Sequence, residues 1–339
     1  MRRLPAVAAL SATLASVLVL AGCGTTEHST DSSDSAGSPS AASAGGSATP
    51  AGPVTLTDAS GATVHLDHPA TRVVGTEWDV VEDLVALGVA PVGVADVKGY
   101  TDWDKAAPLT GSPKDIGTRG EPSTDAIAAL TPDLVVATTD LSPSVLKQLR
   151  KVATVLVVKP ADAADQIGTM TDDLDLIARA TGTTTKATAV KAAFQDKLAT
   201  GRKKLQDAGL AGKKIAFADS YVVSNQVSVR AYTSGSLIGA VNEQLGLQNA
   251  WTVKGDKSYG LATTDVEGLT GLGDVSFAYI QNSSDGDPFT ANLGKNAVWK
   301  SLAFVKAGHV HRLPDGVWMF GGPGSMEAYI DGLVDALTK

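Results

Sequence analysis

One uninterrupted helical pattern near the middle of the chain separates two flanking regions whose sequence patterns are similar. Within residues 164–182 the apolar residues recur every three or four positions, which places them on one face of a helix: Ile167, Met170, Leu174 and Ile177. Asp162 can cap the start, and Gly182 suits the left-handed residue that ends many helices. At ~1.5 Å per residue such a helix spans roughly 27 Å, about the width of a small domain. We therefore expect residues 161–182 to connect two lobes, with the functional site in the cleft between them.

Both flanks alternate short apolar strand patterns with helical patterns. The predicted strands are 72–75, 91–95, 134–137 and 154–158 in the first flank and 214–219, 276–281 and 309–313 in the second. This alternation is typical of a mostly parallel sheet covered by helices on both faces. The sequence therefore predicts an α/β fold with an N-terminal lobe at 53–160 and a C-terminal lobe at 183–339.

The N-terminus has the pattern of an export signal. Arg2 and Arg3 precede an apolar run at 6–20, which is too short to span a bilayer permanently, and small residues then lead to Cys23. The tetrad Leu-Ala-Gly-Cys matches the bacterial lipobox, in which the cysteine receives a lipid and becomes the mature N-terminus. We expect a signal peptide at 1–22 and lipidation at Cys23, the only cysteine of the chain. The alternative is an ordinary secretory signal that happens to contain a cysteine.

Residues 23–52 are rich in Ser, Ala, Gly, Thr and Pro and contain no aromatic residue. Such a segment cannot bury enough apolar surface to offset the entropy of ordering, so we expect a flexible tether after the lipid. The chain would then lie outside the cytoplasm, lipid-anchored to the outer face of the cell membrane. Its formal net charge of −8 offers no basic surface for nucleic acid.

Several short motifs follow one another in a recognisable order through residues 54–339. They include Asp58-Ala59-Ser60-Gly61, Ile116-Gly117-Thr118-Arg119-Gly120-Glu121-Pro122, Leu130-Thr131-Pro132-Asp133, Val266-Glu267-Gly268-Leu269 and Gly321-Gly322-Pro323. Their order and spacing resemble those of the class III solute-binding proteins of ABC importers, which carry ferric siderophores, cobalamin and haem. The resemblance implies two Rossmann-like lobes joined by a single long rigid helix, around a shallow cleft that closes only slightly. The motif at 116–122 and the Trp-rich loops are most similar to binders of ferric hydroxamates, with actinobacterial desferrioxamine-type proteins nearest.

In that family the position of Arg119 points at the iron-chelating groups of the ligand. A hexadentate siderophore already saturates its iron, so the protein needs no cofactor and no metal ligand of its own. It needs a cation for the ligand oxygens and aromatic faces for the apolar linkers. The alternative for Arg119 is a surface arginine paired with Glu121.

Further candidates for ligand contact lie in predicted loops at the same edge of the lobes. They are Trp78, Tyr100 and Trp103 in the first lobe and Tyr221, Arg230, Tyr232, Tyr259 and Trp318 in the second. Each aromatic residue taken singly could equally be a packing residue, but the set predicts a lined pocket. Trp251 and Trp299, near helix ends of the second lobe, are expected to be structural.

The resemblance also places one acidic residue on each lobe where the family docks into arginines of the permease. Asp125 and Glu267 occupy these positions, although aspartate is shorter than the usual glutamate and Glu121 could substitute for Asp125. The alternative is that both carboxylates only stabilise helix N-termini. The prediction is a monomeric, non-enzymatic lipoprotein that captures a ferric hydroxamate siderophore and delivers it to an ABC permease and its ATPase.

Other ligands and one other class of protein remain as alternatives. The same fold could bind cobalamin, haem or a catecholate siderophore. A cell-surface hydrolase is the remote alternative, since Ser144 and Lys147 have Ser-x-x-Lys spacing but the companion Lys-Thr-Gly and Ser-Asp-Asn motifs are missing from the sequence. His309 and His311 share one face of a strand, but a receptor for bare metal ions would offer more histidines and carboxylates.

Overall fold

The computed structural model describes residues 52–339. The predicted signal peptide, Cys23 and all but the last residue of the predicted tether lie outside the described residues. The elements of the first lobe are β1 (Val54–Thr57), β2 (Thr63–Leu66), β3 (Val73–Gly75), α1 (Trp78–Ala86), β4 (Gly93–Val94), α2 (Val97–Trp103), β5 (Lys114–Asp115), α3 (Thr124–Leu130), β6 (Leu134–Thr138), α4 (Pro143–Leu149) and β7 (Val155–Val158).

The first lobe is built on a parallel sheet of five strands in the order β5-β4-β3-β6-β7. Every residue of β6 and β7 is buried, because helices cover both faces of the sheet and each strand is apolar almost throughout. The hairpin of β1 and β2 stands beside this sheet as a separate antiparallel pair. The predicted parallel sheet of this lobe is confirmed.

Two helices link the lobes, α5 (Gln166–Thr181) and α6 (Thr184–Asp207). Helix α5 is the expected connection and ends at Gly182, whose φ is 72°. Its N-terminal cap is Asp165 rather than Asp162, because the Asp165 side chain accepts a hydrogen bond from the N–H of Gly168.

Both linking helices pack in both hydrophobic cores. On α5, Met170 belongs to the core of the second lobe, whereas Leu174 and Ile177 belong to that of the first. Helix α6 follows the reverse course, from Ala187 in the first core to Phe194 in the second. The connection is therefore a helical hairpin fixed in each lobe, with α6 adding to the single helix that the sequence predicted.

The second lobe has a mixed sheet. Its elements are β8 (Lys214–Val223), β9 (Gln226–Tyr232), α7 (Leu237–Gln244), β10 (Gln248–Asn249), β11 (Leu261–Thr264), β12 (Ser276–Tyr279), α8 (Pro288–Ala291), α9 (Ala297–Ser301), α10 (Ala303–Lys306), β13 (Val310–Arg312) and α11 (Pro323–Thr338), with 3-10 turns at Glu267–Leu272 and Leu293–Lys295. The strand order is β11-β9-β8-β12-β13, with β10 also paired to β8, and β9 runs antiparallel to both of its neighbours.

Strand β9 is the main element that the sequence analysis missed. The turn between β8 and β9 is Ser224-Asn225, with φ of 49° and 63°. Such turns usually contain glycine, and its absence here hid the hairpin signal. Among residues 52–339, no helix is both long and apolar enough to cross a membrane.

Candidate functional site

A cavity of about 530 Å³ lies between the two lobes. On the first-lobe side its walls follow the ends of the parallel strands, so it occupies the carboxyl edge of that sheet, where α/β proteins commonly bind ligands. The first lobe contributes Glu77, Asp79, Asp96, Arg119, Asp140 and Pro160. The second lobe contributes Arg230, Tyr259, Leu261, Trp318 and Phe320.

Arg119 is held at the cavity wall by an ion pair and by aromatic rings. Its Nη1 lies 2.6 Å from Oε1 of Glu77, the residue that caps α1. Its guanidinium carbon lies 4.0 Å from the ring centroid of Trp78 and 5.1 Å from that of Trp318. Glu77 is therefore its partner, not Glu121, and within residues 52–339 it is the only hydrogen-bond partner of this guanidinium. The other N–H groups of Arg119 can donate to a ligand.

Arg230 is the corresponding cation on the second lobe. Strand β9 pairs it with Asp219 of β8, and the guanidinium forms a two-point ion pair with that buried carboxylate. Its guanidinium carbon also lies 5.2 Å from the ring centroid of Phe320. Burial by itself lowers the pKa of Arg230, but Tyr232 and Asp219 raise it further than burial lowers it, so the group stays charged.

An aromatic cluster forms the wall between the two arginines. The ring of Trp318 packs edge-on against Trp78 at 4.7 Å, Phe320 at 5.1 Å and Trp103 at 6.1 Å between centroids. The Nε1 of Trp318 is buried without a hydrogen-bond partner among the described residues. A ligand oxygen could therefore satisfy this donor.

Tyr259 joins the lobes across the cavity. Its hydroxyl donates to Oδ2 of Asp140 at 2.5 Å, and its ring packs edge-on against Phe320. Burial, followed by the hydrogen bond to Asp140, raises the pKa of Tyr259, so the hydroxyl keeps its proton.

Five of the predicted contact residues do not line this cavity. Tyr100 is 0% exposed and donates to the carbonyl oxygen of Ala107 inside the first lobe. Trp78 lies behind Arg119, with Nε1 donating to the carbonyl of Ala95. Trp103 stands outside the cavity, where it bridges the lobes through a hydrogen bond from Nε1 to Asp285.

Tyr221 is 43% exposed near the far end of β8, and Tyr232 lies deeper than the cavity wall. These two residues fail to line the cavity for the same physical reason as Trp78, Tyr100 and Trp103. All five were predicted to lie in loops, whereas they lie in α1, α2, β8 and β9, where packing and strand direction decide which way a side chain points.

The carboxylates of the site were missed. Asp79, Asp96 and Asp140 come within a few residues of the ends of β3, β4 and β6, and this position was the available signal, because the ends of parallel strands meet at one edge. Phe320 was also missed, although it stands two residues after Trp318.

A small chamber of about 20 Å³ lies beneath the cavity and shares Asp79, Pro160, Tyr259 and Phe320 with it. Asp79, Asp83 and Asp173 line this chamber. Burial, followed by repulsion from neighbouring carboxylates, raises the pKa of Asp79 and of Asp83 well above the usual range. Burial raises the pKa of Asp173 to about 7.

The remaining candidates lie away from the cavity. Asp125 and Glu267 are exposed in the first turns of α3 and of the 3-10 turn in the second lobe. His309 pairs with Asp274 at 2.8 Å, and the part of the chain that the structure describes holds no group of three or more metal-ligating side chains. Trp251 and Trp299 pack in an aromatic core of the second lobe.

Comparison with known proteins agrees with this architecture. The sequence model of one family, described as periplasmic binding protein, matches residues 73–316. The iron(3+)-hydroxamate-binding protein FhuD of Escherichia coli K12 is 25% identical over 272 residues, which cover 78% of this chain and 86% of that protein. The Fe(3+)-citrate-binding protein YfmC of Bacillus subtilis 168 is 27% identical over 316 residues, which cover 92% and 90%. The solved structure of Fe3+-Desferal-bound FhuD from Vibrio cholerae has a TM-score of 0.71 and 26% identity, and the match covers 79% of this chain and 98% of that one.

Proposed function

The chain belongs to the periplasmic binding protein family, and we propose that it captures a ferric siderophore of the hydroxamate type between its lobes and delivers it to an ABC importer. It has the class III fold of that family, with two α/β lobes and a long helical connection. The observation that carries the proposal is the cavity of about 530 Å³ with one guanidinium on each lobe and aromatic rings between them. This volume lies within the range of about 300–1,000 Å³ that is usual for small-molecule sites.

The two arginines suit a chelate whose iron is already saturated. Arg119 and Arg230 are fixed by Glu77 and Asp219, so each presents its remaining N–H groups without losing much side-chain entropy on binding. Charge-assisted hydrogen bonds from these groups would reach the oxygens of the chelate. Trp318 and Phe320 would cover its apolar linkers. In this arrangement the iron is cargo, and the protein contributes no ligand to it and no catalytic group.

The charge of the cavity favours hydroxamates over catecholates. Glu77, Asp79, Asp96 and Asp140 face only two guanidinium groups, so the lining carries excess negative charge even when Asp79 is protonated. A ferric tris-hydroxamate centre is neutral, because three singly charged groups balance Fe³⁺. A ferric tris-catecholate carries three negative charges and would meet like charge in a partly desolvated site.

The remaining parts of the proposal concern delivery. We propose that a lipid on Cys23 holds the protein outside the cytoplasm, so that residues 24–52 tether the lobes at the membrane surface. Asp125 and Glu267 are exposed on opposite lobes and would pair with basic residues of the permease. An ABC permease and its ATPase are thus the proposed partners of a monomeric receptor.

A fluorescence titration tests the ligand class. Residues 24–339, without lipid, would be titrated with ferric desferrioxamine, a ferric tris-catecholate, ferric citrate and cobalamin, following tryptophan emission. We expect saturable quenching by the hydroxamate at submicromolar concentration and much weaker responses to the anionic chelates. A response to another ligand alone would overturn the hydroxamate assignment, and no response to any iron chelate would overturn the siderophore function.

A further inference from the structure

The chamber beneath the cavity has three carboxylates and no cation in its lining. Asp79 and Asp83 lie four residues apart on α1 and therefore share one face of that helix, and Asp173 reaches the chamber from α5. The charge of Lys159 acts on Asp173, but its ammonium group pairs with Asp162. The other polar groups of the lining are those of Gln166, Tyr232, Ser236 and Tyr259. The chamber lining therefore contains no cationic side chain that would balance the three carboxylates.

Asp83 is the residue that most needs a partner. Its side chain is 4% exposed, and Oδ1 has no hydrogen-bond partner among the described residues. Gly322, which also lines the chamber, lets this oxygen approach, because a Cβ at that position would lie 2.6 Å from it. A buried carboxylate oxygen without a donor is costly and is satisfied by a donor of complementary charge.

The boundary that the cavity and the chamber share is mostly apolar. Three of the four residues that the two spaces share are Pro160, Tyr259 and Phe320, and the fourth is Asp79. A polymethylene arm could lie against these three side chains while its end enters the chamber. The chamber volume of about 20 Å³ admits one group the size of a water molecule. A primary ammonium group has that size and donates three hydrogen bonds.

On the premise of the proposed function, we propose that this chamber binds the terminal primary ammonium group of an amine-bearing ferric hydroxamate. Asp79, Asp83 and Asp173 accept hydrogen bonds from the ammonium group, while Arg119 and Arg230 hold the chelate above it. The receptor thereby selects chelates that carry a positively charged arm over neutral chelates with the same iron centre. The cation also stabilises the ionised form of these side chains; in the unliganded protein, burial and mutual repulsion raise the pKa of Asp79 and of Asp83 and favour the protonated form.

Two chelates that differ only at the arm test this selectivity. Ferric desferrioxamine B ends in a primary amine, and its N-acetyl derivative has the same iron centre and backbone but a neutral end. Binding of both to residues 24–339 would be measured by tryptophan quenching at pH 7. We expect the amine form to bind at least tenfold more tightly.

Variants locate the effect in the chamber. Asp83→Asn should reduce the preference for the amine form to about threefold or less, chiefly by weakening that form, and Asp173→Asn should act in the same direction. Asp172→Asn is the matched control, because Asp172 is an exposed carboxylate next to Asp173 on the same helix. It should keep the full preference.

The outcomes separate this inference from the proposed function. Equal binding of the two chelates by the unaltered protein, or tighter binding of the acetylated form, overturns the ammonium site and leaves the hydroxamate receptor intact. Failure of both chelates to bind overturns the two proposals together. A preference that persists in both Asp83→Asn and Asp173→Asn also overturns the chamber as its source. The comparison in the unaltered protein decides the matter even if a variant does not fold.

Discussion

Glu82 of α1 accepts a hydrogen bond from the backbone N–H of Ser325, at 2.7 Å, in the first turn of α11 on the other lobe. Helix α11 has Gly322 at its N-terminal cap position and therefore lacks a capping side chain of its own. The Glu82 carboxylate, 243 residues away in sequence, supplies the hydrogen-bond acceptor that a serine or aspartate at the cap position usually provides. This hydrogen bond therefore connects the two lobes at the N-terminus of α11.

Glu82→Ala should lower the free energy of unfolding by about 1–3 kcal/mol, because it leaves a buried N–H without an acceptor. Glu82→Gln keeps an acceptor oxygen and removes a charge from a crowded acidic region, so it should cost much less. Urea unfolding of the two variants measures the difference. Equal losses would show that the hydrogen bond to Ser325 contributes little.

Gly321→Ala should also destabilise the contact between the lobes. A Cβ at this position would lie 2.1 Å from Oε2 of Glu82 and 2.8 Å from the Ser325 side chain, so the Glu82 carboxylate and the first turn of α11 must shift. We expect a loss of about 1–3 kcal/mol in unfolding free energy, the usual scale of overpacking. Gly271→Ala is the control, since nothing lies within 4 Å of a Cβ there, and it should be nearly neutral.

Arg119→Ala should weaken binding of ferric desferrioxamine by about 1–3 kcal/mol, the scale of lost charge-assisted hydrogen bonds. Arg119→Lys keeps the charge but loses the planar group that packs on Trp78, so it should recover only part of the affinity. Arg179→Ala removes an exposed arginine of α5 outside the cavity and should bind normally. Unchanged affinity in Arg119→Ala would exclude this residue from the ligand contacts.

The buried carboxyl groups of Asp173 and Asp104 should make the protein more stable at pH 5 than at pH 8. Burial raises the pKa of Asp173 to about 7 in the folded protein, whereas an unfolded aspartate has a pKa of ~3.9. Between these two values the folded state binds more protons, so the free energy of unfolding falls as pH rises. Asp173 alone accounts for about 3 kcal/mol between pH 5 and pH 8. Asp104, with a pKa raised to about 10 by burial and by Glu82, acts in the same direction.

Asp173→Asn tests whether Asp173 causes this pH dependence. The amide oxygen can still accept a hydrogen bond from the N–H of Lys159, so the substitution removes mainly the titrating group. Thermal unfolding of the variant across the same pH range should show a flatter dependence and a higher stability at pH 8. A pH dependence as steep as that of the unaltered protein would assign the effect to other groups.

Glu267→Ala should leave siderophore affinity unchanged and lower uptake in cells that depend on this receptor. The residue is exposed, and its proposed partner is a basic residue of the permease. Glu243→Ala is a suitable control, because Glu243 is an exposed glutamate of the same lobe. Normal uptake by the Glu267 variant would contradict the docking role.

The sequence was most informative where the fold depends on local periodicity. The spacing from Met170 to Ile177 predicted α5, and the apolar runs at β6 and β7 predicted buried parallel strands, because each pattern is confined to one element. The placement of Arg119 at the interlobe cavity rested on a resemblance rather than on any local rule.

Contacts between residues distant in sequence could not be predicted in the same way. Asp83 and Asp173 meet only because α1 and α5 pack together, and the cap of α11 by Glu82 depends on how the lobes dock. The aromatic residues illustrate the same limit. Whether Tyr100 or Tyr259 reaches the cavity depends on the element that carries it, and no local pattern distinguished them.

The hairpin of α5 and α6 has a mechanical consequence for transport. Each helix is fixed at one end in one core and at the other end in the second, so the pair resists bending most strongly in the plane that contains both helices. Swinging the lobes apart would require side chains to leave a core at both ends. We therefore expect the receptor to have almost the same outline with and without cargo. A transporter that admits only loaded receptors would then have to sense small tilts or altered stiffness rather than a change of shape.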